Sequence, residues 1–155
     1  LTESFSPLIK LDMTWKNSLI TNIEFKKQRN IALSLSNLQI TEDKTNEYVF
    51  GTGYRFKKLK FPIQIRNKDI ESDLNVRSDV SIRKNLTLIR KISEQFNDPT
   101  TGRTVISLKS SADYNISRYV ILRAFFEKQI TKPALSVPFP TSNTSAGISI
   151  RLSIS

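Results

Sequence analysis

Apolar and polar residues alternate one for one along most of this chain. From Leu74 to Ile82, "LNVRSDVSI" sets Leu74, Val76, Ser78, Val80 and Ile82 against Asn75, Arg77, Asp79 and Ser81. A period of two marks a strand with one apolar and one charged face. The pattern predicts nine strand-like segments and no helix. The first is "LIKLDMTWK" (8–16), and the second carries Ile23 and Phe25. Then come "NIALSLSNLQIT" (30–41), "YVFGTGYRF" (48–56), "SDLNVRSDVSIR" (72–83), "LTLIRKISEQF" (86–96), "TVISLKSSADYNI" (104–116) and "RYVILRAFFEKQI" (118–130). The ninth alternates Ala146, Ile148, Ile150, Leu152 and Ile154 with Gly147, Ser149, Arg151 and Ser153. Polar stretches are read as the connections: "KNS" (16–18), "KKQRN" (26–30), "TEDKTNE" (41–47), a Lys-rich stretch through Pro62, "RKN" (83–85), "NDPTTGR" (97–103), "NISR" (115–118) and "TKPALSVPFPTSNT" (131–144).

A soluble sheet would bury the apolar face in a core; a membrane barrel would turn it to lipid and its charged face to a wet lumen. Three features favour the barrel. The segments run about 9–13 residues, near the 9–11 a tilted strand needs to cross a bilayer, where globular strands average about 5–6. Short and long connections alternate, apart from the short "KKQRN". Aromatics gather near segment ends, with Trp15, Tyr48 and Tyr114 by short turns and Phe25 and Phe56 by long loops. The expected fold is therefore all-β, an antiparallel transmembrane β-barrel segment of about nine long meander strands. Leu11, Met13, Ile23, Leu33, Leu35, Phe50, Leu74, Val76, Val80, Leu108, Ile148 and Ile150 are expected to face lipid. Lys10, Asp12, Glu24, Arg77, Asp79, Arg83, Lys109, Asp113, Arg123 and Arg151 are expected to face the lumen, where solvation and cross-strand pairing account for each of them singly. Nine strands cannot close an even-numbered barrel. With short turns periplasmic, the ninth runs down to the periplasm, so 1–155 is expected to be a piece of something larger.

Composition removes several classes. The net charge of +10 comes from 24 Lys and Arg spread along the chain against 14 Asp and Glu. Without a block of basic residues, a nucleic-acid partner is not expected; "YRFKKLKF" (54–61) is the one dense basic-aromatic stretch, and its spacing does not fit an RNA-recognition strand. There is no His, hence no His-based triad or His metal site, and no Cys. Carboxylate couples such as Asp73 with Asp79, or Glu24 with Asp12, alternate with Lys and Arg, which suits ion pairing better than acid–base catalysis. No enzyme activity, cofactor or metal is expected. The richest apolar run, "YVILRAFF", is broken by Arg123, so no helix from this chain would span a membrane. The chain opens "LTESFSPLIK", without an initiator Met or a readable targeting segment.

"DLNVRSDVSIRKNLTLIRKI" resembles a segment near the C-terminus of the SprA/Sov family, the giant outer-membrane translocons of the Bacteroidota type IX secretion system. The likeness extends in order to "SPLIKLDMTWKN" (6–17), "FGTGYRFKKLKFPI" (50–63), "ISLKSSADYNIS" (106–117) and "KPALSVPFPTSNTSAGISIRLS" (132–153), essentially the whole chain. The resemblance implies the final strands of a very large single-chain barrel in the cell outer membrane. Such a barrel exports folded cargo proteins, in some members with a link to gliding motility. It implies as partners the lipid bilayer, the rest of the same barrel, a PorV-type barrel, a plug protein and secreted cargo. Ser155 departs from the terminal aromatic common in outer-membrane barrels, which points to a later end or another assembly signal. The rival readings are a fragment of a porin or TonB-dependent receptor, or a soluble basic β-domain.

The sixth segment breaks the pattern, because either parity of "LTLIRKI" places Arg90 or Lys91 on the lipid side. A bulge near Ile89, an early rise out of the bilayer, or a covering partner would resolve this. A bulge or a covered wall is expected, with Asp79 as the inward partner of the charge.

Overall fold

The computed structural model describes residues 1–36, 38–60, 71–91, 97–117, 119–134 and 139–153, with backbone only for 97–99. They form one seven-stranded antiparallel sheet in chain order: β1 (Thr2–Thr14), β2 (Leu19–Ser34), β3 (Gln39–Lys60), β4 (Glu71–Lys91), β5 (Asn97–Ser117), β6 (Val120–Pro133) and β7 (Thr141–Leu152). Each strand pairs only with its sequence neighbours, so β1 and β7 are both open edges among the described residues.

The strands number seven rather than nine because four stretches read as connections are strand. "KKQRN" lies inside β2, paired with β1 and β3. "TEDKTNE" is the first part of β3, "RKN" the middle of β4 and "NDPTTGR" the start of β5. All four are nearly devoid of large apolar residues, so alternation fades although the backbone ladder, which needs no particular side chain, continues. The break that does occur falls inside a predicted strand. "NIALSLSNLQIT" turns at 35–38, with Leu38 in the left-handed region at φ 48°.

The expected alternation of short and long connections is lost with those boundaries. One rim carries the 15–18 turn and the strand ends at Lys60, Glu71, Ser117 and Val120; the other carries those at Ser34, Gln39, Lys91, Asn97, Pro133 and Thr141, so sequence separations of 4, 10 and 2 residues fall on one rim and 4, 5 and 7 on the other. Tightness at 15–18 comes from the Leu19 carbonyl accepting the Trp15 N–H at 2.8 Å, with Ser18 left-handed at φ 66°. Pro62 and the tail of the sixth predicted segment (92–96) lie outside the described residues, as do Ile154 and Ser155.

Four irregularities interrupt the ladder, one of them between Asn115 and Ser117 in β5. Register slips between Phe5 and Ile9 in β1, where Pro7 has no N–H to donate. It slips again between Phe56 and Leu59 in β3. There Lys58 is left-handed at φ 53° and donates its N–H to the Asp73 carboxylate at 3.1 Å. The third slip faces Thr87 and Leu88, on the β5 side.

No second layer packs on either face among the described residues. The buried residues are few, with Tyr114 the buried apolar one and Glu42 the buried charged one. Domains ordinarily bury an apolar sheet face against a second layer; here Leu11, Ile23, Phe50 and Val80 stay exposed in one row.

Candidate functional site

Cross-strand partners share a face, so the register sorts every side chain. Of the twelve residues expected to face lipid, eleven lie on one face. Leu11, Ile23, Phe50, Val80 and Leu108 form a single row, flanked by rows holding Met13, Val76 with Ile148, and Leu74 with Ile150. Leu33 shares the face but stands eight residues beyond Phe25, and Leu35 sits in the 35–38 turn, off the sheet. All ten residues expected to face the lumen lie on the opposite face.

The apolar face is a band. In β3 it runs from Tyr48 to Phe56, in β4 from Ile82 to Leu74 and in β5 from Ile106 to Tyr114. Nine residues at about 3.3 Å each make about 30 Å along the strand, the number a tilted membrane strand uses. Its middle row is small and hydroxylic, Thr21, Thr52, Ser78 and Ser110, with the Ser78 and Ser110 hydroxyls bonded to each other at 2.9 Å. Aromatics frame both edges, grouped differently from the sequence expectation. Tyr48 belongs with Phe25, stacked at 4.8 Å between ring centroids. Phe56 belongs with Trp15, Tyr54 and Tyr114 at the other edge, edge-to-face with Tyr54 at 4.6 Å. The polar tips there are satisfied: Trp15 Nε1 donates to Thr21 Oγ1 at 2.8 Å and the Tyr114 hydroxyl to the Leu59 carbonyl at 2.9 Å.

Both edges of the band step sideways across the sheet. The upper edge lies at Phe5 in β1, at Phe25, Tyr48, Ile82 and Ile106 one same-face row lower, and at Phe126 and Ala146 two rows lower again. The lower edge moves the same way, from Trp15 and Leu19 to Phe56, Leu74 and Tyr114, then to Val120 and Leu152. The drift is thus six residues above and four below over six strand steps. At about 3.3 Å per residue and about 4.8 Å between strands this is a tilt of about 25–35°, close to the roughly 35–45° of barrel strands. Lys128, in the row of Phe50 and Val80, then falls at the edge of the band rather than inside it; Ile130 alone continues the older row.

The reverse face is a lattice of ion pairs. Lys10 holds Asp12 at 3.3 Å and Glu24 at 3.5 Å, and Lys26 holds Glu24 at 3.1 Å. Arg77 pairs with Asp79 and Arg83 with Glu47, each at 3.0 Å, and Arg55 with Asp73 at 2.6 Å. Arg123 forks onto Asp113, and Lys109 stands between Asp79 and Glu127 in register. The carboxylate couples weighed for acid–base chemistry are each tied to cations. Gly51 belongs to this face: a Cβ there would meet Asn22 Oδ1 at 1.9 Å and Asp79 Oδ1 at 2.3 Å, so the absence of a side chain lets its neighbours close over it. Exposed pairs of this kind contribute at most about 1 kcal/mol each, so they serve hydration and register more than stability.

One charged cluster lies on the apolar-parity face, well beyond the band. Glu42, 2% exposed, is held by Arg29, by Lys44 at 3.2 Å and by Arg90 at 2.8 Å, with Glu3 3.8 Å from Arg29. This corrects the expectation for Arg90. No bulge turns it inward: the β3–β4 register runs unbroken from Gln39 and Lys91 down to Phe56 and Leu74, and Asp79 is taken by Arg77. Arg90 stays on the face of Leu33 and Ile40, eight residues (about 26 Å along the strand) past Ile82. Sequence alone does not show the cluster, because "TEDKTNE" is polar throughout and reads as a connection. Replacing Glu42 with Leu, which leaves three cations facing one another, is expected to cost about 1–3 kcal/mol. Adding Arg90→Leu should recover part of the loss in a double-mutant cycle of denaturant midpoints, and strict additivity would refute the coupling.

No protein-family model matches this chain, and no curated protein matches it.

Proposed function

We propose that residues 1–155 are a wall segment of a large outer-membrane β-barrel, with the apolar band against lipid and the ion-paired face lining a water-filled pore. The observation that carries the reading is the uncovered band itself: nine residues tall, framed by aromatics at both edges and drifting as the strands of a tilted barrel would. In this reading β2 to β5 rise out of the bilayer past the band. Arg90 then needs no lipid-buried charge and is met by Glu42 outside.

The ordered likeness to the SprA/Sov family extends the proposal to the type IX secretion translocon, exporting folded cargo. A PorV-type barrel, a plug and the cargo itself are the proposed partners. The pore face suits that task physically. Its charges are largely matched across strands, so a folded protein would slide past a hydrated wall with little apolar surface to hold it.

Single cysteines at Phe50, Val80 and Leu108, placed in the intact chain in native membranes, are expected to resist a water-soluble maleimide. Cysteines at Ser81 and Ser107 on the reverse face should react. Equal labelling of both sets would refute the lipid assignment. The full length of the gene separates the translocon from a porin or TonB-dependent receptor, since only the translocon needs a chain of several thousand residues.

A further inference from the structure

We propose that the basic concavity just beyond the band, between β1 and β4, holds the phosphate-bearing headgroup of an anionic membrane lipid; this rests on the lipid-facing reading of the band. Lys27 is the next same-face residue past Phe25, and Lys84 the next past Ile82. They flank Asn46 in one register row, about 10 Å apart across two strand spacings, so both ammonium groups can reach one phosphate.

Neither lysine has an ion-pair partner among the described residues, and the nearby carboxylates are already engaged: Glu42 by Arg29, Lys44 and Arg90, Glu47 by Arg83. Beyond the band, between β1 and β4, five cations (Lys27, Arg29, Lys44, Lys84, Arg90) therefore share this face with two carboxylates (Glu3, Glu42). Beside the break in β1 a hollow of about 400 Å³ opens, lined by Lys27, Arg29 and Lys44 against the single carboxylate Glu3, with Gln28 and Asn46 between them and Phe5 as its apolar wall.

Uncompensated positive charge adjoining an apolar band calls for an amphiphile. The phosphate would sit between Lys27 and Lys84, with Asn46 donating its amide, while the acyl chains run down over Phe25, Tyr48 and Ile82. A free phosphate meets only half of this surface.

The test uses the intact chain, purified in detergent and offered phosphatidic acid or phosphatidylcholine, with retained lipid counted by native mass spectrometry. The wild type is expected to keep phosphatidic acid over phosphatidylcholine by at least about tenfold, the scale of two basic residues near an anionic surface. Lys27→Gln with Lys84→Gln should lose that preference while keeping the fold, since both side chains are exposed. Millimolar inorganic phosphate should leave the lipid in place. Equal retention of the two lipids, an unchanged double variant, or displacement by phosphate alone would overturn the proposal. A protein that stays monodisperse with neither lipid nor detergent would instead remove the reading on which it rests.

Discussion

Arginine in place of Val76 is expected, on the proposed lipid-facing reading, to destabilise the intact protein by about 2–4 kcal/mol, the cost of a guanidinium near the bilayer midplane. Val76 lies one same-face row from the hydroxyl row that marks the middle of the band, between Tyr54 on β3 and Ala112 on β5. Neither neighbour offers a counter-charge. Arginine at Ser81 is the control. It is inserted in the same strand but on the reverse face, beside Val49 and Ser107 and within reach of Asp79, where water and carboxylates are present. That change should cost under about 1 kcal/mol. Denaturant titrations of both variants in the same detergent measure the difference. Two equal losses would mean that the band meets water or protein, and the lipid reading would fall.

The strand class and the identity of the two faces were legible in the sequence because alternation depends on nothing but parity. Leu74 to Ile82 and Ala146 to Leu152 fall on the apolar-parity face along their whole length. Where strands end was much less legible. A turn shows itself by polar residues, and so does a strand that has left the apolar zone. "TEDKTNE" and "NDPTTGR" therefore read as loops although both are strand. The same ambiguity hid Glu42, which becomes a cluster centre only once β3 is known to extend back to Gln39 and to place it between Ile31 and Leu88. Arg90 was legible as an anomaly but not as a solved one. Its partner lies 48 positions away in sequence and is brought alongside by register alone. The basic row did leave a signal that reading one strand at a time passes over. A lysine sits two residues past the upper edge of the band on the same face in β2, β4 and β6, at Lys27, Lys84 and Lys128.

Residues 1–155 expressed alone are expected not to reach a stable folded state, in detergent or without it. Among the described residues the sheet's order runs from β1 to β7 with no closure, so alternate N–H and C=O groups of both outer strands point away from the sheet. Within the band these are the stretches around Ile9–Met13 and Ala146–Leu152, flanked by the exposed side chains of Ile9, Leu11, Ile148 and Ile150. Lipid and detergent tails offer no hydrogen bonds, and each unsatisfied backbone group in hydrocarbon costs several kcal/mol. In water the edges would be solvated, but the band would then be exposed with no second layer among the described residues to cover it, and open apolar edges pair with other copies. Both environments therefore leave one large term unmet. On the wall-segment reading it is met, in the intact protein, by strands from elsewhere in the chain adding to β1 and to β7. Size-exclusion chromatography and thermal melts of the isolated segment should show aggregate, or a species without a cooperative transition. Cysteine pairs bridging β1 or β7 to a neighbouring strand should form disulfides only in the full-length barrel. A monodisperse, cooperatively melting 1–155 would show that the sheet closes or buries its face without the rest of the chain, and the wall-segment reading would have to be abandoned.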